Sequence, residues 1–148
     1  EKMASGVAVH SDVVDLFEEM KIRHTTRWFT AVINDSKDTI VVEKKIPSSK
    51  DQDASTYEEF IGQLKPNEPR YAIYDLNYTL DDGGERSKLV FIAFIPDGAP
   101  IKQKMLYASS KADLKKKLNG IHVEIQATDF DEVDYETVHG KASGGGTK

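Results

Sequence analysis

"KLVFIAFIPDGAPIKQKMLYASSKADLKKKLNGIHVEIQ", residues 88–126, sets out a strand, a break, a helix and a strand in succession. Residues 88–95 are apolar almost throughout, the pattern of a central strand covered on both faces. "PDGAP" breaks the chain. Residues 121–126 alternate strictly, as a strand with one wet face does. A helix linking two strands permits a parallel neighbour, so the sheet need not be purely antiparallel.

The rest of the chain is consistent with that unit. Residues 27–33 and 39–46 form a hairpin about "NDSKD", and residues 70–80 pair with 88–95 about "DDGGERS". Val13, Leu16, Phe17 and Met20 have the spacing of one helical stripe, with Ser11 as N-cap. A short helix follows "PSSKDQDAS", and Asp129 with Glu132 caps a last one over about residues 130–138. The expected fold is α/β of the α+β type: a central mixed sheet of five to six strands, with helices on both faces. One domain is expected over residues 4–138. Residues 139–148 read as a flexible tail, and Glu1 and Lys2 as an expression remnant before the start at Met3.

Composition narrows the function classes. The chain has 148 residues and no cysteine, which excludes disulfides, thiolate metal sites and cysteine nucleophiles. No apolar run reaches the ~20 residues that span a bilayer, and no signal peptide is visible. Cytosolic residence is the simplest expectation. The four histidines (10, 24, 122 and 139) are dispersed, without the i, i+4 pairing of a metal site. "DFDEVDYE" fails as a calcium loop, because Asp134 stands where that loop needs glycine. Asp81 and Asp82 beside Gly83-Gly84 read as solvated turn residues. No catalytic constellation and no cofactor emerge.

Charge is segregated. Between Lys102 and Lys117 six lysines face one acid, giving +5, so the remainder carries −10 of the total −5. Such segregation suggests a steered contact with an acidic partner. Nucleic acid is disfavoured by the acidic total and by the lack of an aromatic-plus-arginine platform. A basic membrane helix is disfavoured because its apolar residues look committed to a core.

Those apolar residues pose a geometric problem. With Lys104 at zero and 100° per residue, Lys111 and Lys115 lie at about −20° and +20°. Ile101, Met105, Ala108 and Ala112 lie between about +40° and +100°, whereas Leu114 and Leu118 lie near −80° and −40°. The apolar face crosses the lysine stripe midway. If every apolar residue is core, a break at Ser109-Ser110 is required, with Ser110 and Asp113 at capping spacing. A solvated lysine face and a docking surface then stand at rough parity.

"MASGVAV", "YAIYD", "ERSKLVFIAFIPDGAPIKQKMLYASSK" and "LNGIHVEIQATD", in this order and spacing, resemble the actin-depolymerising factor/cofilin family. The resemblance covers Met3 to about Val138. It implies an ADF-homology (gelsolin-like) fold without enzymatic activity. It implies binding to actin monomers and filament sides, ADP form preferred, with severing and depolymerisation. By the same resemblance Lys102, Lys104 and Met105 contact actin, joined by Lys111, Lys115 and Lys116. Ser5 and Gly6 match the N-terminal contact segment, and Ser5 the regulatory phosphorylation site. Arg86 and Lys88 match the basic pair that meets the filament side, and Lys141 is what the chain retains of the C-terminal charges there. That thinning leaves an alternative: a monomer-sequestering or nucleotide-exchange-modulating protein with weak filament binding. His122 lies one residue from the family's pH-sensing histidine, so that role is not transferred. The resemblance further implies a monomer of the cytoplasm and the nucleus that binds phosphoinositides and requires no metal.

Overall fold

A computed structural model describes residues 6–48 and 54–144. Six strands form one sheet: β1 (Ala8–Val9), β2 (Thr26–Ile33), β3 (Thr39–Pro47), β4 (Arg70–Thr79), β5 (Glu85–Phe94) and β6 (Val123–Ala127). Their order is β1-β3-β2-β4-β5-β6. The inner pairs are antiparallel, and both outer pairs, β1 with β3 and β5 with β6, are parallel. The expected mixed sheet is therefore present. Strand β1, two residues long, is too short to leave a pattern.

Alternation along the strands builds two cores. On one face Leu89, Phe91, Ala93 and Ile95 meet Tyr71, Ile73, Phe29 and Ala31. Helices α1 (Ser11–Arg23) and α3 (Ile101–Lys116) cover that face. On the other, Val90, Ile92 and Phe94 meet Trp28, Tyr74 and Leu76. There α2 (Ala54–Ile61) contributes Tyr57 and Phe60, and α4 (Tyr135–Ser143) contributes Val138 and Ala142. Each of the Val, Leu, Ile and Phe side chains among them, fully buried, stabilises the fold by about 1.5–3 kcal/mol before entropy is counted. β5 is buried from Leu89 onward because it lies between both layers.

Two helix ends depart from expectation. The N-cap of α1 is His10, whose Nδ1 accepts the Asp12 N–H at 3.0 Å; Ser11 is already helical. The last helix is split. Asp129 caps a 3-10 turn, Phe130–Val133, and Asp134 caps α4 by accepting the Thr137 N–H at 2.8 Å. Helix α4 then runs to Ser143, beyond Val138, so residues 139–143 are not tail. Ala142 lies in the core, and its carbonyl accepts the Tyr78 hydroxyl at 3.2 Å. That packing outweighs the poor helix propensity of Gly140.

A buried polar cluster fixes the C-terminal end of α1. His24, in the left-handed conformation at φ 55°, meets the buried Asp75 carboxylate at 2.7 Å. Ser87 donates to the other carboxylate oxygen at 2.7 Å, and Arg27 to the Asp75 backbone carbonyl at 2.8 Å. The carboxylate is thus compensated inside the fold.

Candidate functional site

Helix α3 is continuous from Ile101 to Lys116, without the interruption expected at Ser109-Ser110. Ser109 bonds back to the Leu106 carbonyl at 3.1 Å within the helix. Ser110 is fully buried and meets the Tyr71 hydroxyl. The helix needs no break because its apolar residues do not share one destination. Tyr107, Ser110, Leu114 and Leu118 are buried, and on the wheel they form one arc from about −120° to −40°. The other stripe faces solvent: Ile101 is 69% exposed and Met105 65%, with Ala108 and Ala112 exposed beside them. One helix therefore carries two apolar stripes, one for the sheet and one with no partner among the described residues.

Tyrosines moor this helix. The Tyr107 hydroxyl accepts the Ile33 N–H at 2.9 Å, and Tyr71 donates its hydroxyl to the Tyr107 carbonyl. Burial pushes both phenols above their ordinary range. At its far end Gly120, at φ +114°, turns the chain into β6. Lys21 of α1 ties that turn by donating to the Asn119 carbonyl at 2.7 Å.

The lysines separate into two groups. Lys102 and Lys116 are exposed, and Lys104 reaches only the Asp97 carbonyl at 3.3 Å. Lys111 and Lys115, expected as a free basic cluster, are engaged within the chain. Lys111 lies 3.1 Å from Glu124 and also contacts Gln126; Lys115 bonds to Glu124. The wet face expected of β6 is real, and Lys111 and Lys115 of α3 reach across to it. The two lysines, Lys115 first, hold the Glu124 carboxyl below the usual range. Neither Glu124 nor Gln126 was expected to take part, although their i, i+2 spacing on a strand was a visible signal.

A second basic group lies on the opposite sheet face. Arg86 and Lys88 alternate with β5 residues whose continuation, Val90 and Ile92, meets α2 and α4. Arg86 is paired in register with Tyr78, which bonds to α4 at Ala142 and meets His139 edge to face with ring centres 5.1 Å apart. Lys141, exposed on α4, belongs to the same side of the sheet. Of the N-terminal pair, Ser5 lies outside the described residues. Gly6 is exposed with φ +83°, and the next residue, Val7, is buried in the α1/α3 core.

The model of the cofilin/tropomyosin-type actin-binding proteins matches residues 6–143. The chain belongs to that family. A cofilin of Schizosaccharomyces pombe is 47% identical over 134 residues, covering 90% of this chain and 93% of the relative. Actophorin of Acanthamoeba castellanii is 44% identical, with 93% of this chain and 96% of that protein aligned. Among solved structures, a cofilin recorded from Streptomyces griseoflavus superposes with a TM-score of 0.82 at 40% identity, covering 93% of this chain and 98% of the other. Actin depolymerization factor 2 of Plasmodium berghei gives 0.85 at 29% identity, covering 95% and 99%. The fold is accordingly the ADF-homology fold.

Proposed function

We propose that this chain binds actin monomers and filament sides, and that it severs and depolymerises filaments by binding rather than by a catalytic step. The observation that carries this reading is the outward stripe of α3. Ile101 and Met105, 69% and 65% exposed, stand beside Lys102 and Lys104 on a helix whose other face is held rigidly to the sheet. Apolar side chains in water gain free energy when a partner covers them. Flanking cations select an acidic surface and speed encounter.

Arg86, Lys88 and Lys141 supply the second, filament-side surface on the other sheet face. Their place on one side of the sheet, with Lys141 on α4, supports filament binding over the sequestering alternative. The ADP form of actin is the expected target. Ser5 is the expected phosphorylation site, and the exposed lysines of α3 are a surface for phosphoinositide head groups. The protein works as a monomer on the cytoplasmic actin cytoskeleton, and in the nucleus where actin is present. Cosedimentation with filamentous actin, with imaging of single filaments, tests the reading. Pelleting and cutting are expected; nucleotide exchange altered on monomers alone, without either, replaces it by the sequestering alternative.

A further inference from the structure

Four helical residues rise about 6 Å, and two strand residues about 6.6 Å. Lys111 and Lys115 on α3 therefore match Glu124 and Gln126 on β6 rung for rung. Glu124 receives both lysines, at 3.1 Å from Lys111, and Gln126 receives Lys111 again. The contact is partly shielded: the Lys111 side chain is 23% exposed and Glu124 29%. Two of the six lysines in the basic segment thus share one carboxylate inside the chain, which cancels one of their two charges. The cations left to a partner, Lys102, Lys104, Lys116 and Lys117, lie toward the two ends of the helix.

We propose that Glu124 is a positioning residue that sets what α3 can dock on. By holding Lys111 and Lys115 against β6, and with Asp113 between them on the helix, it leaves the middle of α3 close to neutral. Docking then depends more on the apolar stripe, which a shaped protein cleft can cover, and less on the charge attraction that holds a chain to a polyanionic surface. Glu124 thereby biases the helix toward a protein partner and away from non-specific adhesion to anionic membrane. This deepens the proposed docking role of α3 and rests on it.

The test uses the full chain and vesicles of phosphatidylcholine with 30 mol% phosphatidylserine, a composition chosen as a generic anionic surface. Glu124→Gln, and Glu124→Ala in case the amide still accepts a lysine, should bind these vesicles about fivefold more tightly. That is the effect of one net positive charge gained near an anionic leaflet. Salt should weaken the variants more steeply than the parent. Glu136→Gln, on the exposed side of α4 across the sheet, makes the same change in net charge and should leave vesicle binding nearly unchanged. The proposal is overturned if neither Glu124 variant gains affinity, or if Glu136→Gln gains as much. A lowered unfolding temperature with unchanged vesicle binding would also overturn it, leaving Glu124 a structural tie. Failure of the actin reading shows elsewhere, as unchanged actin affinity in the Lys102→Ala/Lys104→Ala double variant.

Discussion

The hydroxyl of Tyr107 accepts the backbone N–H of Ile33 at 2.9 Å, joining the outward-facing helix to the end of β2. Ile33 is paired with Ile40 on β3, and Ile40 with Val9 on β1. The mooring point therefore belongs to the end of the sheet that the N-terminal segment reaches. Tyr107→Phe leaves the Ile33 N–H without its acceptor in a half-buried place. A loss of about 1–3 kcal/mol is expected, read as a lower denaturation midpoint with an unchanged m-value. Actin affinity should fall less than stability, because the outward stripe is untouched.

Two residues on one helix should behave oppositely. Leu114 is 1% exposed and Met105 65%. Leu114→Ala should cost about 2–5 kcal/mol of stability through transfer and cavity terms. Met105→Ala should cost almost none, yet weaken actin binding about tenfold, and Lys102→Ala with Lys104→Ala should do likewise. Thermal unfolding and a monomer-binding titration on the three proteins separate the stripes. If Met105→Ala loses stability and affinity in proportion, that stripe is core, and the docking surface is elsewhere.

The fold was more legible than the site, for a physical reason. β5 and β6 could be read because burial on two faces and on one leave different periods. The outward stripe of α3 obeys the same 3.6-residue period as a core stripe, so the wheel read as all core required a break at Ser109-Ser110, and only the resemblance turned Met105 outward. Only the packing of Tyr107 and Leu114 shows which stripe meets the sheet. The partners of Glu124 were missed for the converse reason: the i, i+2 spacing on β6 was visible, but a lysine of α3 bound within the chain looks like a free one. The end of α4 was misplaced because Gly140 argues locally against a helix that Val138 and Ala142 secure through the core.

His122 gives stability a pH dependence of definite sign. Its Nδ1 accepts the Leu89 N–H at 2.9 Å, while its own backbone N–H donates to the Leu89 carbonyl at 2.9 Å. Partial burial, and then the charge of Lys88, lower its pKa below the ordinary histidine value. The unfolded chain therefore binds the proton more readily. The contribution is present above the unfolded value of about 6.5 and is lost as pH falls through the lower folded one. Urea unfolding from pH 7.5 to 5 should show the parent losing more stability than His122→Gln. Parallel curves would mean that the Leu89 N–H finds another acceptor on protonation.

Ser5 precedes Gly6 and the buried Val7 in the sequence, so a charge introduced there leaves the Val7 side chain itself unaltered. A phosphate brings about −1.5 to −2 charges, opposite in sign to the lysines expected to meet an acidic partner. Ser5→Asp should weaken actin binding several-fold and leave thermal unfolding unchanged, since the anchor at Val7 is intact. Unchanged affinity in Ser5→Asp and in the phosphorylated protein alike would remove the switch.

Arg86 and Lys88 point from β5 toward the side of the sheet that carries α4, away from α3. The two proposed surfaces are thus on opposite layers, and their losses should be separable. Arg86→Ala with Lys88→Ala should reduce filament cosedimentation about tenfold while leaving monomer affinity within about twofold, because distant sites without shared partners act independently. Lys141→Ala should add a smaller loss of the same kind. The Lys102→Ala/Lys104→Ala variant should instead lose both activities, since a filament still presents the surface that α3 requires. If the β5 variant weakens monomer and filament binding equally, the two sheet faces do not divide the work, and α3 alone must account for filament contact.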